Sequence, residues 1–220
     1  MEKGIYNIYK PKGPTSYDII RRIKGLTTEL LGRNQKPQLR IGHGGTLDPL
    51  ASGVLIVAIG REFTRELDKV VKVEKEYIAT VKLGQTSTTQ DEEGEKADFQ
   101  IDKIPDIADI EKTLKKFIGE ITQTPPIYSA LKINGQPAYK LARAGKDVEI
   151  KSRTITIRDV ELLEYKWPIL KIRVTCSAGT YIRTLANDIG ANLKTGGYLA
   201  DLVRSRIADF KIEDSIHLEG

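Results

Sequence analysis

A glycine-rich stretch that carries one aspartate is the part of this sequence best suited to chemistry. It reads Gly42-His43-Gly44-Gly45-Thr46-Leu47-Asp48-Pro49-Leu50-Ala51-Ser52-Gly53 and is called the aspartate loop below. Glycine loses more conformational freedom on folding than any other residue, so such a segment indicates sharp turns or close approach to a ligand. Pro49 biases Asp48 towards an extended conformation, and the apolar run at 54–59 predicts a buried strand behind it. The aspartate loop is therefore interpreted as a rigid mount for the Asp48 carboxylate.

Three known uses of glycine loops do not fit the aspartate loop. It lacks the Gly-Lys-Ser/Thr of a phosphate cradle, and Gly42-x-Gly44 is not followed by the third glycine of a dinucleotide site. No serine in the chain lies in a Gly-x-Ser-x-Gly nucleophile elbow. A glycosidase pair would need a second carboxylate from elsewhere in the fold. Catalysis and turn-stabilising hydrogen bonds stay open as roles for Asp48.

A second candidate segment runs from Cys176 to Ala186 and contains Tyr181 and Arg183. A turn of small residues between a strand and a helix would place both side chains in the first helical turn. An aromatic ring and a guanidinium at a helix N-terminus are suited to contacting a base and an anion. The alternative is that Tyr181 belongs to the core and Arg183 is a surface charge.

A third candidate segment covers 123–145 and mixes tyrosines with Lys132, Lys140 and Arg143. The dipeptide Asn134-Gly135 predicts a hairpin turn in its middle. Aromatic residues interleaved with cations are typical of proteins that hold unstacked nucleotides. A hairpin with a purely structural role is the alternative.

Composition and charge favour a globular protein that binds a polyanion. The chain has 220 residues, 40% hydrophobic and 30% charged, with one cysteine and two histidines. No signal peptide or membrane-spanning run is present, and the cysteine and histidine content argues against disulfides and zinc. A reducing cytoplasm is therefore expected. Positive charge is concentrated in 10–40 and 132–158 and negative charge in 91–111, which predicts a polyanion-binding face or, alternatively, solvated helix faces.

The elements that must position these segments alternate irregularly between strands and helices. The patterns predict strands at 5–10, 54–59, 75–84, 154–165, 166–177 and 198–210, and helices at 15–32, 107–118 and 180–193. Thr15 and Asp18 form a capping box, and residues 85–100 are expected to be an acidic loop. Several hairpins without a regular βαβ order predict an α+β fold with a largely antiparallel mixed sheet flanked by helices.

Taken together, the three segments resemble the bacterial tRNA pseudouridine-55 synthase (TruB) family over nearly the whole chain. The matching motifs are Lys10-Pro11 with Gly13 and Thr15-Ser16, Gly42-His43-x-Gly45-Thr46-Leu47-Asp48-Pro49, Lys75-x-Tyr77, Pro125-Pro126-x-Tyr128-Ser129-Ala130-x-Lys132, and Gly179-Thr180-Tyr181-Ile182-Arg183. Five ordered motifs at compatible spacing are far more specific than one.

The resemblance implies a pseudouridine-synthase fold and isomerisation of a T-loop uridine of tRNA to pseudouridine, without cofactor or metal. Asp48 would be the essential carboxylate, attacking C1′ or abstracting a sugar proton, on a nucleotide flipped into a pocket. Arg183 is expected to pair with Asp48 and keep it ionised. Tyr77 would stack on the uracil and assist proton movement at C5.

The resemblance also implies a set of RNA- and substrate-binding residues. They are His43 in the stack of the flipped base, Leu202 lining the pocket, Tyr181 supporting it, and Lys10, Lys132 and Arg143. Residues 124–150 resemble the insertion that grips the T-arm. The partner is tRNA, with no membrane, and a monomer is expected.

The sequence departs from the family pattern in three places. It ends at Gly220 without the C-terminal RNA-binding (PUA) domain common in the family, so one catalytic domain over 1–220 and weaker tRNA binding are expected. Residues 27–40 are longer than usual, and 60–65 differ from the usual pattern. Two other functions stay open: a guide-RNA-dependent pseudouridylase subunit, and an RNA-binding tRNA-folding chaperone.

Overall fold

The computed structural model describes residues 1–31, 40–129, 131–133, 135–145 and 149–218. The chain divides into two compact units, with Met1–Tyr77 and Leu202–Gly220 in unit 1 and Ile78–Asp201 in unit 2. The divisions at Tyr77 and at Leu202 fall inside strands, so two strands contribute residues to both units.

Unit 1 is built on a central strand between helices. Its elements are β1 (Gly4–Lys10), α1 (Ser16–Leu31), β2 (Ile41–Gly44), β3 (Ala51–Ile59), α2 (Arg61–Val71), the start of β4 (Lys75–Leu83), the end of β12 (Gly197–Ile207), β13 (Phe210–Lys211) and a 3₁₀ turn at Ile212–Asp214. Strand β3 pairs antiparallel with β1 and β2 and parallel with β12.

The apolar run of β3 is buried on both faces, which explains why it lacks alternation. Leu55, Val57 and Ile59 pack with Ile8 of β1 and with α1. Val54, Ile56 and Ala58 pack with Leu67 of α2 and Ile207 of β12. The strand directly after the aspartate loop is therefore a fixed point of the unit, as the sequence predicts.

Unit 2 holds the remaining elements. They are the rest of β4, β5 (Gln85–Ser87), β6 (Lys96–Asp98), α3 (Ile107–Lys115), β7 (Gly119–Gln123), β8 (Lys132–Ile133), β9 (Gln136–Pro137), α4 (Ala138–Arg143), β10 (Arg153–Lys166), β11 (Ile169–Cys176), α5 (Ile182–Asn192) and the start of β12. The strand order is β12-β4-β11-β10-β7, with β10 antiparallel to both β11 and β7.

These pairings confirm the α+β class and the mostly antiparallel mixed sheet. Alternation is clear in β11, where Leu170, Ile172, Val174 and Cys176 are all buried. The same period buries Tyr77, Ala79, Val81 and Leu83 in β4. Among the described residues, no helix is long and apolar enough to cross a membrane.

Several local predictions are corrected by the structure. The acidic stretch at 85–100 is not all loop, because β5 and β6 form a hairpin within it. The run at 198–210 is not one strand: β12 ends at Ile207 and pairs back with β13. Helix α5 begins at Ile182, with Tyr181 as its extended N-cap, so Tyr181 is not in the first turn.

The hairpin predicted in 123–145 is confirmed by the pairing of β8 with β9. Asn134 of its turn lies outside the described residues, as do the side chains of Lys132 and Arg143. Most of the long segment at 27–40 also lies outside them.

Candidate active site

The backbone on both sides of Asp48 is held by residues of the preceding loop and helix. The Ser16 hydroxyl donates to the Leu47 carbonyl at 3.0 Å and accepts from the Leu47 N–H at 2.8 Å. The Gly13 N–H donates to the Pro49 carbonyl at 2.8 Å. These bonds anchor the residue before Asp48 and the residue after it, as a rigid mount for its carboxylate would require.

Lys10 holds the end of the same loop. Its ammonium donates to the Ala51 carbonyl at 2.6 Å and to the Pro11 carbonyl at 3.0 Å. The side chain is fully buried at the end of β1. In this position Lys10 supports the aspartate loop from within unit 1, and its direct contact with RNA stays a prediction.

Arg204 on β12 contacts the aspartate loop from another side. Its Nε donates to the Val54 carbonyl at 2.8 Å and its Nη2 to the Gly45 carbonyl at 3.0 Å. The guanidinium also hydrogen-bonds the Tyr77 side chain and interacts electrostatically with Asp48. Arg204 therefore connects the two residues of unit 1 that the sequence predicts to act in catalysis.

Gly53 makes this approach of β12 possible. It has φ +107, and a Cβ there would lie 2.2 Å from the carbonyl oxygen of Arg204. Gly53 is the register partner of Arg204 in the parallel pairing of β3 with β12. Only glycine fits both the backbone conformation and the distance.

Leu202, predicted to line the pocket, precedes Arg204 by two residues on β12. It is the register partner of Ala51 and is buried. The structure thus places it beside the aspartate loop, and its contact with substrate stays a prediction.

The charges around Asp48 shift the pKa values of their neighbours. Burial lowers the pKa of Lys10 to about 8, and the Asp48 carboxylate opposes this shift. Burial also lowers the pKa of Arg204, and Tyr77 and Asp48 oppose it. The half-buried Asp48 therefore lies among buried cations, an arrangement often found at functional sites.

His43 lies in β2, opposite Val57 of β3. Burial, and then the Arg204 cation, lower the pKa of His43 below its usual value, which favours a neutral imidazole near pH 7. Its Nδ1 atom is buried and has no hydrogen-bond partner within the described parts of the chain. Its place in the stack of a flipped base stays a prediction.

Arg183 lies in unit 2, in the first turn of α5, and is buried rather than a surface charge. Its Nη1 lies 3.2 Å from the Asp91 carboxylate, and its Nη2 donates to the Tyr128 carbonyl at 2.8 Å. Both side chains of the Arg183–Asp91 ion pair are less than a tenth exposed. The pairing of Arg183 with Asp48 stays a prediction.

Asp91 is itself held by its own loop. The Thr89 hydroxyl and the Glu93 N–H both donate to its Oδ1 atom. Gln90, between Thr89 and Asp91, has φ +63, a conformation that non-glycine residues seldom adopt. The loop is thus bent so that the Asp91 carboxylate meets Arg183.

Tyr181 is fixed at the start of α5 by both polar and aromatic contacts. Its N–H donates to the Gln123 side chain at 2.8 Å, and its carbonyl accepts from the same amide at 3.1 Å. The Arg153 guanidinium lies 4.8 Å from its ring centroid. These contacts agree with a supporting role for Tyr181.

Sequence reasoning missed Arg204 and Asp91. Arg204 follows Leu202 by two residues on the same strand, but Arg206 continues the same spacing, so no local signal singles out Arg204. Asp91 was counted only as part of an acidic block. The described residues hold no group of three or more His, Cys, Asp or Glu side chains that could bind a metal ion.

Comparisons with known proteins agree on one family. The N-terminal domain of the TruB family pseudouridylate synthases matches residues 33–182. The tRNA pseudouridine synthase B of Clostridium kluyveri is 44% identical over 216 residues, which are 98% of this chain and 71% of that protein. The protein of the same name from Phocaeicola vulgatus is 43% identical over 212 residues, or 96% of this chain and 88% of that protein.

Solved structures give the same result for the fold. One chain in the crystal structure of a Cbf5–Nop10–Gar1 complex superposes with a TM-score of 0.72 and 33% identity, covering 98% of this chain and 52% of that one. A chain in an H/ACA RNP bound to a substrate RNA containing 2′-deoxyuridine gives a TM-score of 0.68 and 30% identity over 97% of this chain and 50% of that one. This chain therefore spans about half the length of each.

The sequence match covers more than half of the chain, and the fold matches as well. The chain belongs to the TruB family of pseudouridylate synthases.

Proposed function

We propose that this chain isomerises the T-loop uridine at tRNA position 55 to pseudouridine, with Asp48 as the essential carboxylate. The observation that carries the proposal is the mount of Asp48, a half-buried carboxylate whose flanking backbone is held by Ser16, Lys10 and Arg204. Relatives named tRNA pseudouridine synthase B, 43–45% identical, support tRNA as the substrate.

The proposed reaction breaks the N1–C1′ bond, rotates the uracil and joins C5 to C1′, after which C5 loses its proton and N1 gains one. Atoms and electrons are conserved, so the isomerisation has no stoichiometric need for a cofactor. Asp48 either attacks C1′ or abstracts a sugar proton, and both roles need a carboxylate at a fixed position, which the mount supplies. Tyr77 would stack on the uracil, and the nucleotide would be flipped out of the T loop.

Further parts of the proposal concern the rest of the complex. Residues 124–150 would grip the T-arm, and their tyrosines and cations are suited to that. The chain would act as a monomer in the cytoplasm, where tRNA is found. We expect tRNA affinity to fall steeply with added salt because several phosphates are neutralised on binding.

The test is Asp48→Asn, which keeps the shape of the side chain and removes its charge. Mapping of pseudouridine in bare tRNA should show no product at position 55, while tRNA affinity stays within a few-fold of wild type. Asp102→Asn, at an exposed position, is the matched control and should retain full activity. Residual turnover of Asp48→Asn near the wild-type rate would refute the assignment.

A guide-RNA-dependent role is the second candidate, because solved chains from H/ACA assemblies share the fold at 30–33% identity. Incubating the purified chain with tRNA alone separates the two candidates. Modification of tRNA without a guide RNA supports the first, and modification only after a guide RNA is added supports the second.

A further inference from the structure

Arg204 is a fully buried cation that lies outside the five sequence motifs shared with the family. It is 1% exposed and is among the largest fully buried side chains of the described residues. Burying a charge is costly unless the group is paired and hydrogen-bonded. The contacts of Arg204 show what this burial achieves.

The donors of Arg204 close the aspartate loop. Two of them bind the carbonyls of Gly45 and Val54, which lie on opposite sides of Asp48 in the sequence. A lysine would offer one charged nitrogen on a flexible stem, whereas the planar guanidinium presents separate donors, Nε and Nη2, in a fixed fork. The two bonds hold the backbone at Gly45 and the backbone at Val54 at a fixed separation.

The contact with Tyr77 has a directional consequence. A guanidinium donates hydrogen bonds and accepts none, so the Tyr77 oxygen is the acceptor in its bond with Arg204. The hydroxyl hydrogen of Tyr77 must then point away from Arg204. The phenol is oriented as a donor towards another partner.

We propose that Arg204 is a positioning residue, which fixes the aspartate loop through Gly45 and Val54 and orients the Tyr77 hydroxyl as a donor to the substrate. This inference rests on the proposed function, since it assigns Arg204 an effect on the rate of that reaction. Arg204 touches neither uridine nor RNA in this role. It acts through Asp48 and Tyr77.

The chain offers a matched control on the same strand. Arg206 lies two residues further along β12 and is also an arginine within unit 1. It pairs with Glu74 at 3.1 Å and Glu76 at 4.0 Å, and its side chain is about a quarter exposed. The same substitution at Arg206 gives the cost of changing an arginine of β12 that pairs with carboxylates, for comparison with one that binds the aspartate loop.

The experiment measures single-turnover rate constants and tRNA affinity for wild type, Arg204→Lys and Arg206→Lys. We expect Arg204→Lys to lower the rate about 100-fold, the cost of a misplacement of about 1 Å, with affinity within about three-fold of wild type. Arg206→Lys should stay within about three-fold in both. A wild-type rate in Arg204→Lys would overturn the inference, whereas an inactive wild type would overturn the proposed function.

The pH profile distinguishes positioning from a merely structural role. A lysine at this buried site should lose its proton at a pH below its usual pKa of about 10.4, because burial disfavours the charged form. The rate of Arg204→Lys should therefore fall further above that pH, while wild type does not show this fall. A loss of rate that is the same at every pH would count against the inference.

Arg204→Lys could fail to fold, and a second measurement covers that case. In ¹⁵N-arginine NMR spectra of Tyr77→Phe, the Arg204 guanidinium signals should shift and exchange faster than in wild type, because one acceptor is lost. The Arg206 signals should stay in place. Unchanged Arg204 signals would refute the hydrogen bond on which the inference depends.

Discussion

The two units each bury an arginine near an aspartate, and the two neighbourhoods are built differently. In unit 2, Arg183 and Asp91 form a direct ion pair in which both side chains are buried. In unit 1, Arg204 is fully buried and donates hydrogen bonds to backbone carbonyls and to the Tyr77 phenol, and Asp48 is half-buried.

This difference separates two uses of the same residue types. An ion pair in which both side chains are buried holds its two members in one place. A cation that binds the backbone around a carboxylate holds the mount and leaves part of the carboxylate accessible. On this view, Asp91 serves to position Arg183, whereas the Asp48 carboxylate stays partly exposed.

The largest expected effect is a difference in the free energy of unfolding between alanine variants of the two aspartates. Asp91→Ala removes the carboxylate from the buried ion pair with Arg183, so the free energy of unfolding should fall by about 3–5 kcal/mol. Asp48→Ala should cost less than about 1 kcal/mol, because a half-exposed side chain loses less on truncation. Urea unfolding curves measure both values. Equal losses of unfolding free energy in the two variants would contradict the difference described between the surroundings of Asp91 and Asp48.

A second change tests the mount itself. Ser16→Ala removes both hydrogen bonds to the Leu47 backbone, and the buried groups left without partners should cost about 1–3 kcal/mol of unfolding free energy. The rate of pseudouridine formation should fall with it. Ser152→Ala, at an exposed hydroxyl pair with Thr124, is the control and should be nearly neutral. An active, fully stable Ser16→Ala variant would show that the loop needs no such anchor.

The lowered pKa of Lys10 predicts that the free energy of unfolding depends on pH. Below about pH 8 Lys10 is protonated both folded and unfolded; between about 8 and 10.5 it is neutral when folded and charged when unfolded. The unfolded state then binds more protons, so the free energy of unfolding should rise with pH in this window, by at most about 1.4 kcal/mol per pH unit.

Thermal or urea unfolding of wild type and Lys10→Met between pH 7 and pH 10 isolates this contribution. The difference between the two proteins should change in that window and be constant below it. A constant difference throughout would mean that Lys10 keeps an ordinary pKa.

The smallest effect is expected for a partly exposed pair of unit 1. Arg206→Gln removes the ion pairs with Glu74 and Glu76, and should cost less than about 1 kcal/mol because solvent screens them. The cost should shrink in high salt, whereas that of Asp91→Ala should not. Urea unfolding at low and high salt makes this comparison. If the cost of Arg206→Gln did not change with salt, the conclusion that solvent screens these ion pairs would be wrong.

Local patterns predicted most elements but not all of them. Alternation predicted β4 and β11, because one face of each strand is buried residue by residue. Helix α2 was not predicted: it begins after Gly60, which has φ +105 and gives no side-chain cap, so the usual start signal is absent. The polar β5–β6 hairpin lacks an apolar face and was therefore assigned to a loop.

The candidate site shows the same limit. Asp48 and Tyr77 were predicted from motifs, yet their common neighbour Arg204 was not, since Gly45 and Arg204 are 159 residues apart in the chain. Nothing local distinguishes Arg204 from Arg206. Only the parallel register of β12 with β3 brings the first to the aspartate loop.

The sequence by itself determined the α+β class, the buried strand β3, the glycine-rich mount of Asp48 and the family resemblance. These depend on short-range periodicity, on glycine's backbone freedom and on ordered motifs. The tertiary structure alone decided which cations surround Asp48 and that Asp91 meets Arg183. Those contacts form between distant segments, where strand register and burial select one partner among many of the same type.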